Sequence, residues 1–171
     1  MLNNYIKIFF LLQFFIAAPS FSLVAQDEEE TDYCALDYVP TDKKALKYYN
    51  NFKNSKKFSY AEQFQEMKKA IEVDESCASC VYKLAKRSFL TAKSSRIPNY
   101  KNSIKYYSML IDICPDYHAD AYYNLGLIAY QEKRDKDALD YFKQFLDFNS
   151  DEEKRFNKDY ENQVYDVTAV V

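Results

Sequence analysis

The chain repeats itself. Around Ala70, Leu110 and Phe145 three stretches superimpose without gaps, with Met67, Tyr107 and Phe142 equivalent one turn earlier, so equivalents stand 40 and 35 residues apart. The starts of the units agree too, since residues 81–85 (Val-Tyr-Lys-Leu-Ala) match residues 122–126 (Tyr-Tyr-Asn-Leu-Gly). Within the units apolar residues recur at helical spacing. Ala45, Tyr48, Tyr49 and Phe52 fall at i, i+3, i+4 and i+7, with Thr41 or Asp42 as the cap, and a second face runs through Tyr60, Phe64, Met67, Ala70, Ile71 and Val73. Further helices are predicted over 78–92, 100–113, 119–132 and 136–148, which makes six helices in three hairpins. One Gly and four Pro against 17 Tyr and 13 Phe leave few turn-formers and much packing material, a balance that favours long helices over many short strands. A two-helix unit of this period cannot bury its apolar face alone. It stacks on its neighbours, so the fold class is all-α, an antiparallel helix-hairpin solenoid.

The third unit carries a recognisable pattern: Tyr122, then Leu125-Gly126, an aromatic at Tyr130, a small residue at Ala138, Phe142, and a helix-ending Ser150. In these positions it resembles the tetratricopeptide repeat family, as represented by bacterial periplasmic members. The match is strong in the third hairpin, moderate in the second and weak in the first, where Asn50 or Asn51 stands in place of the Leu-Gly pair. The second hairpin departs by about six extra residues around 93–102, with Pro98 suited to the start of the following helix. The small side chains at Gly126 and Ala138 are where the two helices of a hairpin are expected to approach most closely.

The flanks read differently from the repeat. Lys7, an apolar run over 8–18, Pro19 and small residues up to Ala25 follow the order of a secretory signal peptide over 1–25. That run, at 1.5 Å per residue, spans only about half of a ~30 Å hydrocarbon core, so no stable membrane insertion is expected once the signal is removed. An acidic N-terminal arm over 26–41 precedes the repeat domain over 42–150, and a capping helix and tail are expected over 151–171. There Ser150-Asp151-Glu152-Glu153 forms a capping box, and Phe156, Tyr160, Val164 and Val167 share a face. The expected address is exported and periplasmic, with secretion the alternative.

Four cysteines in an exported chain argue for disulfides. Antiparallel hairpins place the end of the fourth helix beside the start of the third, which predicts Cys80 with Cys114. The same geometry brings Cys77 toward the arm and predicts Cys34 with Cys77. A redox pair at Cys77 and Cys80 lacks the preceding strand of a thioredoxin-like site, and haem attachment fails because Val81 stands where His is required. A four-thiolate zinc site is disfavoured by an oxidising compartment, so no metal is expected.

Catalysis finds no footing in these residues. His118 is the only histidine, and neither a nucleophile elbow nor a phosphate-cradling Gly loop is present, so no enzyme activity and no cofactor are predicted. A formal net charge of −3 gives no electrostatic reason to expect nucleic acid. Binding remains. The tetratricopeptide resemblance implies a concave groove lined by first helices, and its positions map onto Tyr82, Lys86 and Phe89 and onto Asp120, Tyr123, Leu127 and Tyr130, with Lys47, Tyr48 and Asn51 added from the first helix. It implies a non-catalytic adaptor or scaffold for a protein or peptide. Some members grip a C-terminal carboxylate with groove cations, and Lys83, Lys86 and Arg87 are present, but Asp120 stands where the third repeat would need one. Two further readings stand beside this one: a structural subunit forming homo-oligomers through its apolar C-terminal tail, and a thiol-redox accessory protein using Cys77 and Cys80.

Overall fold

The computed structural model describes residues 34, 35, 38–148 and 160–168. All of the described residues belong to one compact unit within residues 31–171. The segment expected to be a signal peptide, most of the expected acidic arm, Ser150, the expected capping box and Phe156 lie outside the described residues. Among those described there are seven helices and no strand: α1 (Lys43–Lys53), α2 (Tyr60–Val73), α3 (Ala78–Lys93), α4 (Lys101–Ile113), α5 (Asp120–Gln131), α6 (Asp135–Leu146) and α7 (Tyr160–Thr168). None of them is long and apolar enough to cross a membrane.

Local chemistry sets the helix ends. Asp42 accepts hydrogen bonds from the Lys44 and Ala45 backbone amides at 2.8 and 2.9 Å, and Ser59 with Glu62 closes a reciprocal capping box at the start of α2. Between α5 and α6 the chain turns through Lys133 at φ 58°, and the Arg134 amide reaches back to the Ala129 carbonyl at 2.9 Å. That is the left-handed helix stop usually given to Gly or Asn.

Helices pair in sequence order. α1 packs on α2, α3 on α4 and α5 on α6, and the lesser contacts α2 with α3 and α4 with α5 join one hairpin to the next. Two apolar clusters result. One runs from Met67 and Ile71 through Leu84, Tyr107 and Leu110 to Leu125 and Ile128, and the other gathers Tyr122, Tyr123, Phe142 and Phe145 with Tyr160 and Val167 of α7. Ile111, Leu127 and Tyr141 pack against both, so the interior is continuous. Each fully buried Leu, Met or Phe there contributes about 2 kcal/mol of transfer free energy. Tyr160 lies 5.2 Å from the Phe145 ring and Val167 is buried, so α7 covers the end of the last hairpin through two of the residues expected to share its packed face.

All four cysteines are bonded, but not in the expected pairs. The bonds are Cys34 with Cys114 and Cys77 with Cys80, which corrects Cys80–Cys114 and Cys34–Cys77. The reason is local. Cys77 caps α3 and Cys80 sits in its first turn, so their Cα atoms are 5.2 Å apart before any tertiary contact is made. The arm does run past the start of α3, where Ser79 donates to the Tyr38 carbonyl at 2.7 Å and Tyr38 donates its hydroxyl to Asp74 at 3.1 Å. It delivers Cys34 to the end of α4.

Candidate functional site

Asp120 opens α5, where a carboxylate suits the positive end of the helix dipole. It is almost wholly buried, and α3 meets it with two donors: the Tyr82 hydroxyl and the Lys86 ammonium each reach Oδ2 at 2.9 Å. From α7, Gln163 donates to Oδ1 at 3.2 Å. Beside them the His118 ring stacks on Tyr82 with centroids 4.8 Å apart, and its Nδ1 accepts the Asp120 amide at 3.2 Å, which assigns the other ring nitrogen as the proton carrier. Burial by itself pushes the Asp120 carboxyl up. The Lys86 charge, the His118 charge once that ring is protonated, and the hydrogen bonds from Lys86 and Tyr82 outweigh it and hold the group below the ordinary carboxylate value. Burial and the neighbouring Asp120 push the Tyr82 phenol far up, so it stays a donor. For His118 burial dominates, Asp120 opposes it, and Lys86 adds to it, so the imidazole is held neutral below its usual pKa.

These directions give a pH dependence. Below about 6.5 an unfolded chain protonates its histidine while the folded chain does not. The stability His118 contributes is therefore complete above that pH and is lost as pH falls toward its lowered folded value. As His118 is the only histidine in the chain, the titration is clean. Urea unfolding is expected to show a midpoint that drops between pH 7.5 and 5.5, by at most about 1.4 kcal/mol per pH unit, with the drop removed in His118→Gln. The Asp120 share follows the same sign lower down, as pH falls through the carboxylate range.

Five of the seven groove residues expected from the repeat converge. Lys86, Phe89, Asp120, Tyr123 and Leu127 line one cleft of about 290 Å³ between α3, α5 and α7. They are not equivalent in exposure. Phe89 and Tyr123 are buried: Phe89 is held at 5.7 Å from the Tyr100 ring, and Tyr123 packs 5.4 Å from Phe145. They form the floor of the cleft. Tyr82 lies behind it in the Asp120 cluster, whereas Tyr130 stands half in solvent at the end of α5 and does not fill space between helices. Lys93 and Asn124 line the cleft too without having been anticipated, as do three residues of α7, Asn162, Gln163 and Asp166. Nothing in the repeat pattern signals the last three, because α7 lies beyond it. Leu90, another unanticipated residue, is an exposed apolar side chain at the rim.

The first-helix positions do not join this cleft. Asn51 donates to Glu66 of α2 at 2.6 Å, Tyr48 lies under the Lys69 ammonium, and Lys47 is exposed. The α3 cations are engaged as well. Lys83 sits 5.5 Å from the centre of the Tyr49 ring, Arg87 stacks on Tyr60 at 4.0 Å and on Phe52 at 4.9 Å, and Lys86 is paired with Asp120. Of the cations on α3, Lys86 is the one paired with a carboxylate among the described residues, and Lys93, which also lines the cleft, lies 5.8 Å from the Phe89 ring centre. Cys77 and Cys80 are both fully buried, and no cluster able to hold a metal ion occurs among the described residues.

Comparison with protein-family models and with characterised proteins returns no match.

Proposed function

We propose that this protein is a non-catalytic adaptor of an extracytoplasmic compartment, a tetratricopeptide-like stack of three helix hairpins closed by a terminal helix. Its partner is an internal segment of another protein, bound in the cleft between α3, α5 and α7. The observation that carries the reading is convergence: residues picked from two different repeats by their place in the family pattern meet on one cleft. The walls suit an extended chain, with Leu90 and Leu127 for an apolar anchor and the exposed Asn162 amide for backbone groups. Asp120 occupies the Lys86 ammonium, the cation the family pattern would offer a terminal carboxylate, which favours an internal segment; Lys93, over the Phe89 ring, is the other cation lining the cleft. Two disulfides are compatible with export to the periplasm or beyond.

A photo-crosslinking residue placed at Leu90 of the mature chain is expected to capture a discrete protein from the native envelope fraction. The same residue at Gln144, exposed on α6, is expected to capture none. Leu90→Asp lowers recovery of that partner by roughly tenfold, as loss of an interface anchor does, while the helical circular dichroism is unchanged. Equal capture from both positions, or recovery insensitive to Leu90→Asp, counts against the cleft.

A further inference from the structure

The extra residues of the second hairpin build something. Between the end of α3 and the start of α4 they form one wall of a separate cleft of about 410 Å³, whose other walls are the first turns of α2 and the last turns of α3. Insertions in repeat proteins collect on one face and commonly carry binding. The volume falls in the range of small-ligand sites.

Its chemistry is selective. In a chain that is 29% charged, no Asp, Glu, Lys, Arg or His lines this cleft. Its polar side chains are amides and hydroxyls, and two of them, Gln65 of α2 and Asn102 of α4, are exposed and make no hydrogen bond among the described residues. Tyr60 is half exposed with Arg87 stacked against its ring, and its hydroxyl is fixed 2.6 Å from Thr91 Oγ1. At the rim Ile97 is 82% exposed, an apolar side chain held in water. A charged occupant would meet no opposite charge among the residues that line the cleft, and a purely apolar one would offer the cleft's amides no partner. A hydroxyl-rich neutral molecule meets both conditions. Each hydroxyl donates and accepts, as each primary amide does, and the carbon face of a sugar ring has Ile97 and the side of the Tyr60 ring away from Arg87 to lie on.

We propose that this cleft binds a short neutral saccharide. The site is independent of the protein-binding cleft, because it lies on different residues and needs no partner protein. Side-chain amide resonances of Gln65 and Asn102 in the isotopically labelled full chain report on it directly during titration with maltose, cellobiose and chitobiose. Saturable shifts are expected with at least one of these, at a Kd of about 0.1 to 10 mM. The affinity falls roughly tenfold in Asn102→Ala and in Gln65→Ala, as removal of a paired polar contact predicts. Both positions are exposed and unbonded, so the fold is unaffected, and Leu90→Asp leaves the titration unchanged. Three outcomes overturn the assignment: no shift from any of the three sugars up to about 50 mM, equal affinity in the variants, or displacement of these amides instead by an uncharged peptide or by raising the protein concentration.

Discussion

Removing the bond between Cys34 and Cys114, as Cys34→Ala with Cys114→Ala, is expected to lower unfolding free energy by about 4 kcal/mol, because a bridge across a sequence separation of 80 removes a large share of the unfolded chain's freedom. That is a large fraction of the roughly 5 to 15 kcal/mol by which a domain of this size is stable. The bond between Cys77 and Cys80 closes a separation of only 3, so the same relation assigns it about 2 kcal/mol. Both of its cysteines are buried, and Cys77 Sγ accepts the Cys80 amide at 3.3 Å, so lost packing and capping add roughly 1 kcal/mol to the Cys77→Ala, Cys80→Ala variant. Urea denaturation of the two double variants beside the parent checks the order, and a greater loss from the short pair refutes it. Connectivity is read separately from a non-reduced tryptic digest. The peptide spanning residues 70–83 then carries its bond internally, and the peptide spanning 106–133 is joined to the one containing Cys34.

The helices were readable because their signals are local. Apolar spacing placed α2 over its whole length and the other helices of the hairpins to within a residue or two, and Asp42 was available as a cap before any fold existed. What failed to read was tertiary. Hairpin geometry correctly set the start of α3 against the end of α4, but it is blind to the fact that two cysteines three residues apart on a helix start are closer to each other than to any neighbour. The groove was half legible for a similar reason. A repeat pattern says which side of a first helix is expected to turn inward, and it picked Lys86 and Leu127, which line the cleft between α3, α5 and α7. It does not say which of those positions the next helix covers, and so it counted Tyr123 as contact surface although Phe142 and Phe145 hold it in the core. Asp120 shows the same limit from the electrostatic side. As a letter it is an acid in a place suited to a cation, but in space it is the partner that neutralises Lys86.

Gly126 allows the sharpest test of how closely the third hairpin is drawn together. Its backbone is ordinary helix and not left-handed, so conformational freedom does not explain it, and on helix propensity alone Gly126→Ala would stabilise by about 1 kcal/mol. Packing reverses the sign. An added Cβ would stand 2.5 Å from Phe142 Cδ1, and the Phe142 ring is buried with Tyr123 6.4 Å away, so it has to shift within the core. Forcing a methyl into a filled core costs about 1 to 3 kcal/mol, so Gly126→Ala is expected to lose about 1 kcal/mol net and Gly126→Val, with two further carbons and a stiff χ1, about 3 kcal/mol or more. The mechanism predicts its own rescue. Phe142→Leu destabilises the parent by leaving a cavity, but in the Gly126→Ala background it also relieves the overlap. The double variant is then more stable than the sum of single losses by about 1 kcal/mol, the coupling a thermodynamic cycle isolates for residues in contact. Strict additivity, or a gain in stability from Gly126→Ala alone, means that α5 and α6 do not meet at this point and that the glycine has another cause.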